Sequence, residues 1–384
     1  MDDFSFKMPT RFAFGPGSER ETGRLAAHYG GTKVLVVYGE GASRHTGALG
    51  AVLESLERSV LDCVELGGIG LEPVASAVYE GVSLARDERV DFVIAVGGES
   101  VADTAKAIAA GARYLGDFWD LFDGAHIPDE ALPLGCVLNA AATGREVSPE
   151  SRIVRGGAVI ERRASSDALV PAFAVLDPEL PKELLPRDVA RTALGALACL
   201  MDSYLVAGTP GTCTDRVAEG IMRSVVDRAL ALLETPDDLE ARGDLLWAAA
   251  LAQGGIATVG RPRGLLCRTS ARILTARCDI DPSSAYAVTL PAALSLLGEG
   301  DPARAGDLAR SVWGAADASD EDAVGHGIEA LKSFAASFGL PATLEELTGT
   351  PQDASGLAHD ACRRENESAT LAEEDVTRLF ELMR

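Results

Sequence analysis

Short apolar runs alternate with longer amphipathic segments through the first half of the chain. Residues 33–38, KVLVVY, form a β-branched run flanked by glycines, which predicts a buried strand. Similar runs and the segments between them predict strands at 62–66, 91–96, 135–140 and 173–177, and helices at 44–57, 74–88 and 100–115. Strands that alternate with helices predict a doubly wound, parallel, Rossmann-like α/β domain.

The pattern changes at the proline-rich stretch PELPKELLP (178–186). Beyond it, alanine and leucine recur with helical spacing almost to the last residue. Examples are the segments 187–207, 214–234, 238–258 and 371–384, and the stretch 266–282 also indicates a buried helix. We therefore predict a dinucleotide-binding-like α/β domain over 1–182 and an all-α helical bundle domain over 183–384.

Composition narrows the range of partners. The 384 residues are 47% hydrophobic and carry a net charge of −23, so we expect a globular protein that binds neither nucleic acid nor an anionic membrane. No apolar run approaches the roughly 20 residues of a membrane helix, and the acidic opening MDDFSFKMPT lacks the apolar core of a signal peptide. The 7 cysteines are scattered and form no CxxC pair, which predicts reduced thiols and a cytoplasmic location.

Two glycine-rich turns predict a nucleotide site. Gly97 and Gly98 lie between a strand and a helix, where glycine lets a pyrophosphate approach and the helix start offers free N–H groups. The second turn, VVYGEGASRHTG (36–47), is placed to contact an adenosine ribose. Its lack of an acid at the strand end, with Ser43 and Arg44 nearby, favours NADP, whereas Glu40 favours NAD.

Several stretches together resemble the iron-containing alcohol dehydrogenases, in particular the NADPH-using, butanol-dehydrogenase-like branch. YGEGASRHTG is similar to that family's cofactor turn, and VGGESVADTAKAIAAGARYLGDFWDLFDG to its phosphate turn and the helix that follows. FSFKMPTRFAFGPGS, FAVLDPELPKELLP, LLWAAALAQGG and SFAASFGLPATLEEL match as well, so the resemblance covers almost the whole chain. It implies a dehydroquinate-synthase-like fold, NADP or NAD as cofactor, a small-molecule substrate and a homodimer.

The resemblance also implies a divalent metal held by one Asp and three His, and here the chain departs from the family. The ligand positions fall on Gly195, Cys199, Arg268 and Pro282, and a proton-relay histidine falls on Arg272. The chain has 5 histidines and none between 127 and 325. Because Zn²⁺ needs three or four ligands, we predict that no metal is bound; the less favoured alternative is a metal held by Asp202, Asp279 and Asp281.

The cofactor region departs from the family too. Its third phosphate glycine is Glu99 here, Glu161 falls near its cofactor lysine, and Arg145 replaces a small residue. Arg145 and Arg162 are candidates to restore positive charge. Together with Glu40, these departures leave open whether a nicotinamide cofactor is bound.

Arg268 and Arg272 are four residues apart and therefore share one helical face. A buried guanidinium requires a carboxylate or an anionic ligand. In one interpretation the two arginines bind an anionic substrate, or polarise its carbonyl in place of the metal, in an interdomain cleft. In the other they pair with Asp202 or Glu146 and fill an inactive site.

We predict a metal-independent alcohol dehydrogenase or carbonyl reductase that transfers hydride between NAD(P)H and a small aldehyde or ketone. The alternatives are a non-redox biosynthetic enzyme on the same scaffold (a lyase, cyclase or condensing enzyme) and a catalytically silent partner subunit. Cys267 is a further candidate thiol and Tyr204 a further proton donor. The predicted catalytic residues are Arg268, Arg272, Cys199 and Tyr286. The predicted cofactor-binding residues are Gly39, Glu40, Gly41, Ser43, Gly97, Gly98, Glu99, Ser100, Asp103, Asn139, Thr143 and Arg162.

Overall fold

The structure is a computed structural model that divides into two compact units. One unit is Lys7–Glu183, and the other is Leu184–Arg384 together with Met1–Phe6. Residues 3–6 thus group with the helical unit, although the sequence predicted that they belong to the α/β domain. The described residues are 3–39, 47–139, 144–156, 160–180, 185–206, 212–261, 264–315, 319–350, 352–364 and 372–384.

A parallel sheet is the centre of the α/β unit. In chain order the strands of this unit are β1 (Arg11–Phe14), β2 (Lys33–Gly39), β3 (Asp62–Ile69), β4 (Phe92–Val96), β5 (Leu134–Leu138), β6 (Glu150–Arg155), β7 (Ile160–Ser165) and β8 (Phe173–Leu176). The sheet has the spatial order β1-β8-β5-β4-β2-β3. From β2 the chain moves outward to β3 and then returns to the other side of β2 as β4. The strand order therefore reverses between β2 and β4, where doubly wound sheets bind their ligands.

Helices cover both faces of this sheet, as the sequence predicted. They are α1 (Thr22–His28), α2 (Ala48–Arg58), α3 (Ala75–Asp87) and α4 (Glu99–Arg113). Val34 and Val36 of β2 belong to the apolar core that contains α1 and α2, whereas Leu35 and Val37 belong to the core that contains α3 and α4. Successive side chains of a strand point to opposite faces, so a strand buried on both sides is a continuous apolar run.

The apolar pattern predicted neither β1 and α1 nor the antiparallel ribbon of β6 and β7. Its register pairs Arg152 with Arg163 and Arg155 with Ile160. These strands are rich in charged residues, so they lack the apolar pattern on which the other strands were predicted. The Gly-Gly pair that follows Arg155 is a hairpin signal that was available in the sequence.

The second unit is built of helices. They are α5 (Pro186–Leu205), α6 (Cys213–Glu234), α7 (Leu239–Gln253), α8 (Leu266–Cys278), α9 (Pro282–Gly300), α10 (Pro302–Trp313), α11 (Asp320–Ser337), α12 (Leu344–Thr348), α13 (Ala354–Arg364) and α14 (Glu373–Leu382). Helix α5 packs against α6, α7, α8 and α9, and α9 also packs against α8, α10 and α11. Three helices, α5, α8 and α9, thus contact one another pairwise and bring their side chains together. None of the described helices is long and apolar enough to cross a membrane.

Candidate active site

The first group of predicted site residues surrounds the glycine turn of the α/β unit. The register of β2 and β4 pairs Tyr38 with Val96, so Gly39, the last residue of β2, and Gly97, which follows β4, lie at the point of strand-order reversal. A Cβ atom on Gly97 would lie 2.6 Å from Cγ2 of Val101, so glycine allows the turn to pass close to α4. Gly98 is the N-cap of α4 and makes no side-chain capping bond, which leaves helix-start N–H groups for an anion.

The remaining predicted cofactor residues differ in burial and in their hydrogen-bond partners, and some lie outside the described part of the chain. The Ser100 hydroxyl donates to the Gly70 carbonyl oxygen over 2.8 Å, and Asn139 is buried just beyond β5. Arg162 is exposed on β7 and donates to the Glu161 carbonyl oxygen over 2.9 Å. Glu40, Gly41, Ser43 and Thr143 lie outside the described residues.

Arg145 lies among three carboxylates next to the turn. Its guanidinium is 3.0 Å from Glu99, 3.3 Å from Asp103 and 3.4 Å from Glu150. Burial lowers the pKa of Arg145, but the three carboxylates have the larger combined effect, and the pKa of Arg145 is raised. Glu99, the first residue of α4, is thus paired with the arginine that replaces a small residue of the family, and the two departures compensate each other.

Asp103 and Lys106 lie fully buried on the same helix. Burial raises the pKa of Asp103 to about 7, although Arg145 acts in the opposite direction. Burial lowers the pKa of Lys106 to about 8, and its Nζ donates to the carbonyl oxygens of Ser148 (2.7 Å) and Glu150 (2.9 Å). Asp103 is thus fully buried and lies next to Arg145, and its predicted role in cofactor binding stays a prediction.

The second group of predicted residues lies in the helical unit, where α8 meets α5. Arg268 donates from Nε to Asp202 Oδ2 (2.8 Å) and from Nη2 to the Gly264 carbonyl oxygen (3.0 Å). Asp202 Oδ1 accepts the backbone N–H of Cys267 (2.6 Å). The Arg268 side chain is 25% exposed and that of Asp202 only 1%. Of the two carboxylates suggested by the sequence, Asp202 is thus the partner of Arg268.

Arg272, one turn further along α8, donates from Nη2 to Thr269 Oγ1 over 3.0 Å. Tyr286 on α9 and Cys199 on α5 are close enough to Arg268 to contribute to its raised pKa, which burial opposes. Two of the predicted catalytic residues, Cys199 on α5 and Tyr286 on α9, thus lie near a third, Arg268 on α8.

Two candidate reactive groups are not supported by their surroundings. Burial and the neighbouring Asp202 raise the pKa of Cys267 well above its ordinary value, and Arg268 offsets this only in part. Burial and a hydrogen bond of 2.5 Å to Glu219 raise the pKa of Tyr204. The Cys199 thiol donates to the Ala252 carbonyl oxygen, with Sγ at 3.4 Å. A thiolate nucleophile is therefore not supported at Cys267, and Tyr204 is a poor proton donor.

The donor set of this region does not fit a divalent metal. Gly195 and Pro282 offer no ligand side chain, and Arg268 places a cation at a third position. Among the residues that the structure describes, no group of three or more His, Cys, Asp or Glu side chains could hold a metal ion. His326 lies elsewhere, with Nε2 at 3.2 Å from the Trp313 carbonyl oxygen.

Comparison with known proteins supports the family resemblance over the full length. The model of the iron-containing alcohol dehydrogenases matches residues 9–178, and the model of the C-terminal region of Fe-containing alcohol dehydrogenases matches residues 189–383. The chain therefore belongs to the iron-containing alcohol dehydrogenase family, whose members are oxidoreductases.

Individual relatives give the same result. The chain is 32% identical to the NADPH-dependent aldehyde reductase YqhD of Escherichia coli over 90% of its own length and 89% of that protein. It is 31% identical to a probable NADH-dependent butanol dehydrogenase of Bacillus subtilis, with 90% of each chain covered. The crystal structure of NADH-dependent butanol dehydrogenase A of Thermotoga maritima superimposes with a TM-score of 0.90 at 32% identity, covering 100% of this chain and 99% of that one. The predicted family and fold class are confirmed.

The structure adds residues that the sequence interpretation passed over. Lys106 lies on the same stripe of α4 as Glu99 and Asp103, and that spacing was visible in the sequence. Gly264 accepts the Arg268 hydrogen bond through its backbone, which no sequence pattern reveals.

Proposed function

We propose that the protein is a metal-independent oxidoreductase that transfers hydride between NADPH or NADH and a small aldehyde or ketone bearing an anionic group. The names of its relatives, an NADPH-dependent aldehyde reductase and NADH-dependent butanol dehydrogenases, support this class of reaction. The observation that carries the metal-independent form is Arg268, held by Asp202 at a position where the family keeps a metal ligand.

A nicotinamide cofactor, when bound, would supply or accept the hydride, with its pyrophosphate at Gly97 and Gly98 and its ribose near Gly39. These glycines and the uncapped start of α4 fit such a group. Glu99 is tolerable there because Arg145 binds its carboxylate at 3.0 Å. The cofactor-binding role of these residues is part of the proposal.

Arg268 would stabilise the charge that develops on the carbonyl oxygen. When hydride adds to a carbonyl carbon, the oxygen becomes an alkoxide, and a fixed donor aimed at it lowers the barrier. One such donor is worth about 10²–10³ in kcat in enzymes. A guanidinium keeps its charge at any working pH, so the protein would need no metal as Lewis acid. Tyr286, near Arg268, would give the alkoxide its proton.

Arg272 would bind the anionic group of the substrate. It shares a helical face with Arg268, one turn away, and an arginine fork binds carboxylate or phosphate with two hydrogen bonds. This assigns the two cations different roles, one at the reacting oxygen and one at the substrate's remote end.

A steady-state comparison tests this function. We expect NADPH or NADH oxidation with small aldehydes, and a lower KM when an aldehyde of the same chain length carries a carboxylate. Arg272→Ala should remove the advantage of the carboxylate. Arg277→Ala is the matched control, because Arg277 lies on the same helix but is exposed and paired with Asp360. Equal KM values for both aldehydes in the wild type would contradict the anionic-substrate proposal.

A non-redox biosynthetic enzyme is the second candidate, favoured by one observation: Glu99 places a carboxylate at the first residue of α4. A carboxylate there competes with a pyrophosphate for the same positive helix end. Fluorescence titration with NADPH and NADH separates the candidates. Saturable binding supports the oxidoreductase, and no binding of either at millimolar concentration supports the non-redox enzyme.

We also infer that the protein is a cytoplasmic homodimer without nucleic-acid or membrane partners. The net charge of −23 and the scattered cysteines support the absence of nucleic-acid and membrane partners and the location, and the homodimer is what the family resemblance implies. Analytical ultracentrifugation should give twice the mass of the 40.0 kDa chain. A monomer at micromolar concentration would contradict this part of the proposal.

A further inference from the structure

Helices α5 and α8 approach so closely at one point that only a glycine fits. A Cβ atom on Gly264 would clash with the Asp202 carbonyl oxygen and would lie 2.6 Å from the Asp202 carbonyl carbon. Both neighbours are backbone atoms and cannot rotate away. Any side chain at position 264 would therefore push the start of α8 away from the end of α5.

The side chain of Asp202 also binds the start of α8. Helix α8 begins without a side-chain cap on its N-cap residue, Leu265. The Asp202 carboxylate, from another helix, accepts the N–H of Cys267 in the first turn through Oδ1 and Nε of Arg268 through Oδ2. One buried carboxylate thus satisfies a helix-start donor and fixes the direction of the arginine side chain.

The guanidinium of Arg268 is consequently held at two of its three nitrogens. Nε is bound to Asp202 and Nη2 to Gly264. Within the described part of the chain, Nη1 donates no hydrogen bond, and the side chain retains 25% exposure. Arg261, by contrast, is paired with Asp215 at 2.6 Å with both side chains at most 4% exposed, so that pair has no accessible donor.

We propose that Asp202 and Gly264 are positioning residues that direct Nη1 of Arg268 to the substrate oxygen. This inference rests on the proposed function, in which Arg268 stabilises the carbonyl oxygen. Neither residue touches the substrate. They act by holding a planar, charged donor in one orientation, and oriented donors lose much of their effect when displaced by about 1 Å.

Chemical rescue of Arg268→Ala tests this inference. Removal of the side chain leaves the Asp202 carboxylate and the Gly264 carbonyl oxygen, which together form a binding place for one guanidinium ion. Low concentrations of guanidinium chloride should restore part of the turnover with saturation, and should raise the melting temperature of the variant. In Arg268→Ala combined with Asp202→Asn, both effects should be lost, because the amide no longer attracts the cation.

A second pair of variants avoids deleting the arginine. Gly264→Ala should lower kcat about a hundredfold with the dissociation constant of NADPH unchanged, because Arg268 is displaced and the cofactor turn is not. Gly220→Ala is the matched control: it lies within α6, where an added Cβ meets nothing within 4 Å, and should leave kcat unchanged. Asp281→Asn is a control for the Asp202→Asn substitution. It also removes an ion pair to α5, since Asp281 binds Arg191 at 2.6 Å, and it should leave kcat unchanged.

The outcomes separate this inference from the proposed function. Equal rescue with Asp202 and with Asn at position 202, or an unchanged kcat in Gly264→Ala, would overturn the positioning role. A wild type that reduces no carbonyl compound would overturn the proposed function. In that case the melting temperature of Arg268→Ala still tests whether Asp202 and Gly264 bind a guanidinium ion: it should rise with guanidinium chloride, and it should not rise when Asp202 is replaced by Asn.

Discussion

Two largely buried arginines, Arg145 in the α/β unit and Arg268 in the helical unit, differ in how many protein groups bind their guanidinium. Arg145 lies within 3.4 Å of three carboxylates. Arg268 has one carboxylate, Asp202, and one backbone oxygen. Arg145 is paired on several sides by protein carboxylates, so we expect its main contribution to be to stability. Arg268 is only partly committed, which is the condition for binding a ligand.

The largest effect is expected on stability, at Arg145. Arg145→Ala leaves the carboxylates of Glu99, Asp103 and Glu150 without their shared cation, and removal of one partner from a buried pair costs about 3–5 kcal/mol. Urea unfolding should show a loss of this size. Arg162→Ala, exposed on β7, should change the unfolding free energy by less than about 0.5 kcal/mol. A similar small change for Arg145→Ala would remove the contrast between the two arginines.

The next effect is expected on catalysis, at Arg268. Arg268→Lys keeps the charge but replaces the planar fork with a single ammonium, which cannot bind Asp202 and Gly264 and still present an oriented donor. We expect kcat to fall by about a hundredfold while the protein remains folded. Steady-state kinetics with the best aldehyde measures this. Full activity in the lysine variant would mean that charge alone is sufficient and that orientation is irrelevant.

The change from one measurement to the next is smallest for a pH dependence of stability that originates at Asp103, because it is spread over about three pH units. Its pKa in the folded protein is about 7, above the ordinary value of 3.8. Between these values the unfolded chain has released the proton and the folded protein still holds it, so stability falls as pH rises from about 4 to 7. One group contributes at most about 1.4 kcal/mol per pH unit. Denaturation at several pH values should show a shallower fall in Asp103→Asn, and an unchanged slope would contradict the assignment.

The family, the α/β alternation and the helical second half were all predictable from the sequence, because buried strands and amphipathic helices have clear apolar periods. The β6–β7 ribbon was not predicted, because its strands are rich in charged residues that pair with one another across the ribbon or with other elements. Arg152, for example, binds Glu72 and Glu161 at 3.3 Å each. Such pairs follow from tertiary structure and leave no periodic pattern.

The candidate site was predictable in part. The resemblance and the position of the histidines were enough to predict a loss of metal ligands, and the i, i+4 spacing predicted that Arg268 and Arg272 share one face. The partner of Arg268 stayed open between Asp202 and Glu146, because residues 66 positions apart in sequence carry no mutual signal. The sequence suggested that Arg145 balances the negative charge of Glu99, and the structure shows that the two side chains form an ion pair at 3.0 Å.

The central claim is that a fixed guanidinium replaces the metal of the family, and chelator-resistant turnover tests it most directly. The purified protein is treated exhaustively with a strong chelator, its metal content is determined by elemental analysis, and carbonyl reduction with NADPH is measured before and after. We predict unchanged kcat with far less than one metal ion per chain, and no increase on addition of Fe²⁺ or Zn²⁺. Activity that disappears with the metal and returns when either ion is added would contradict the account.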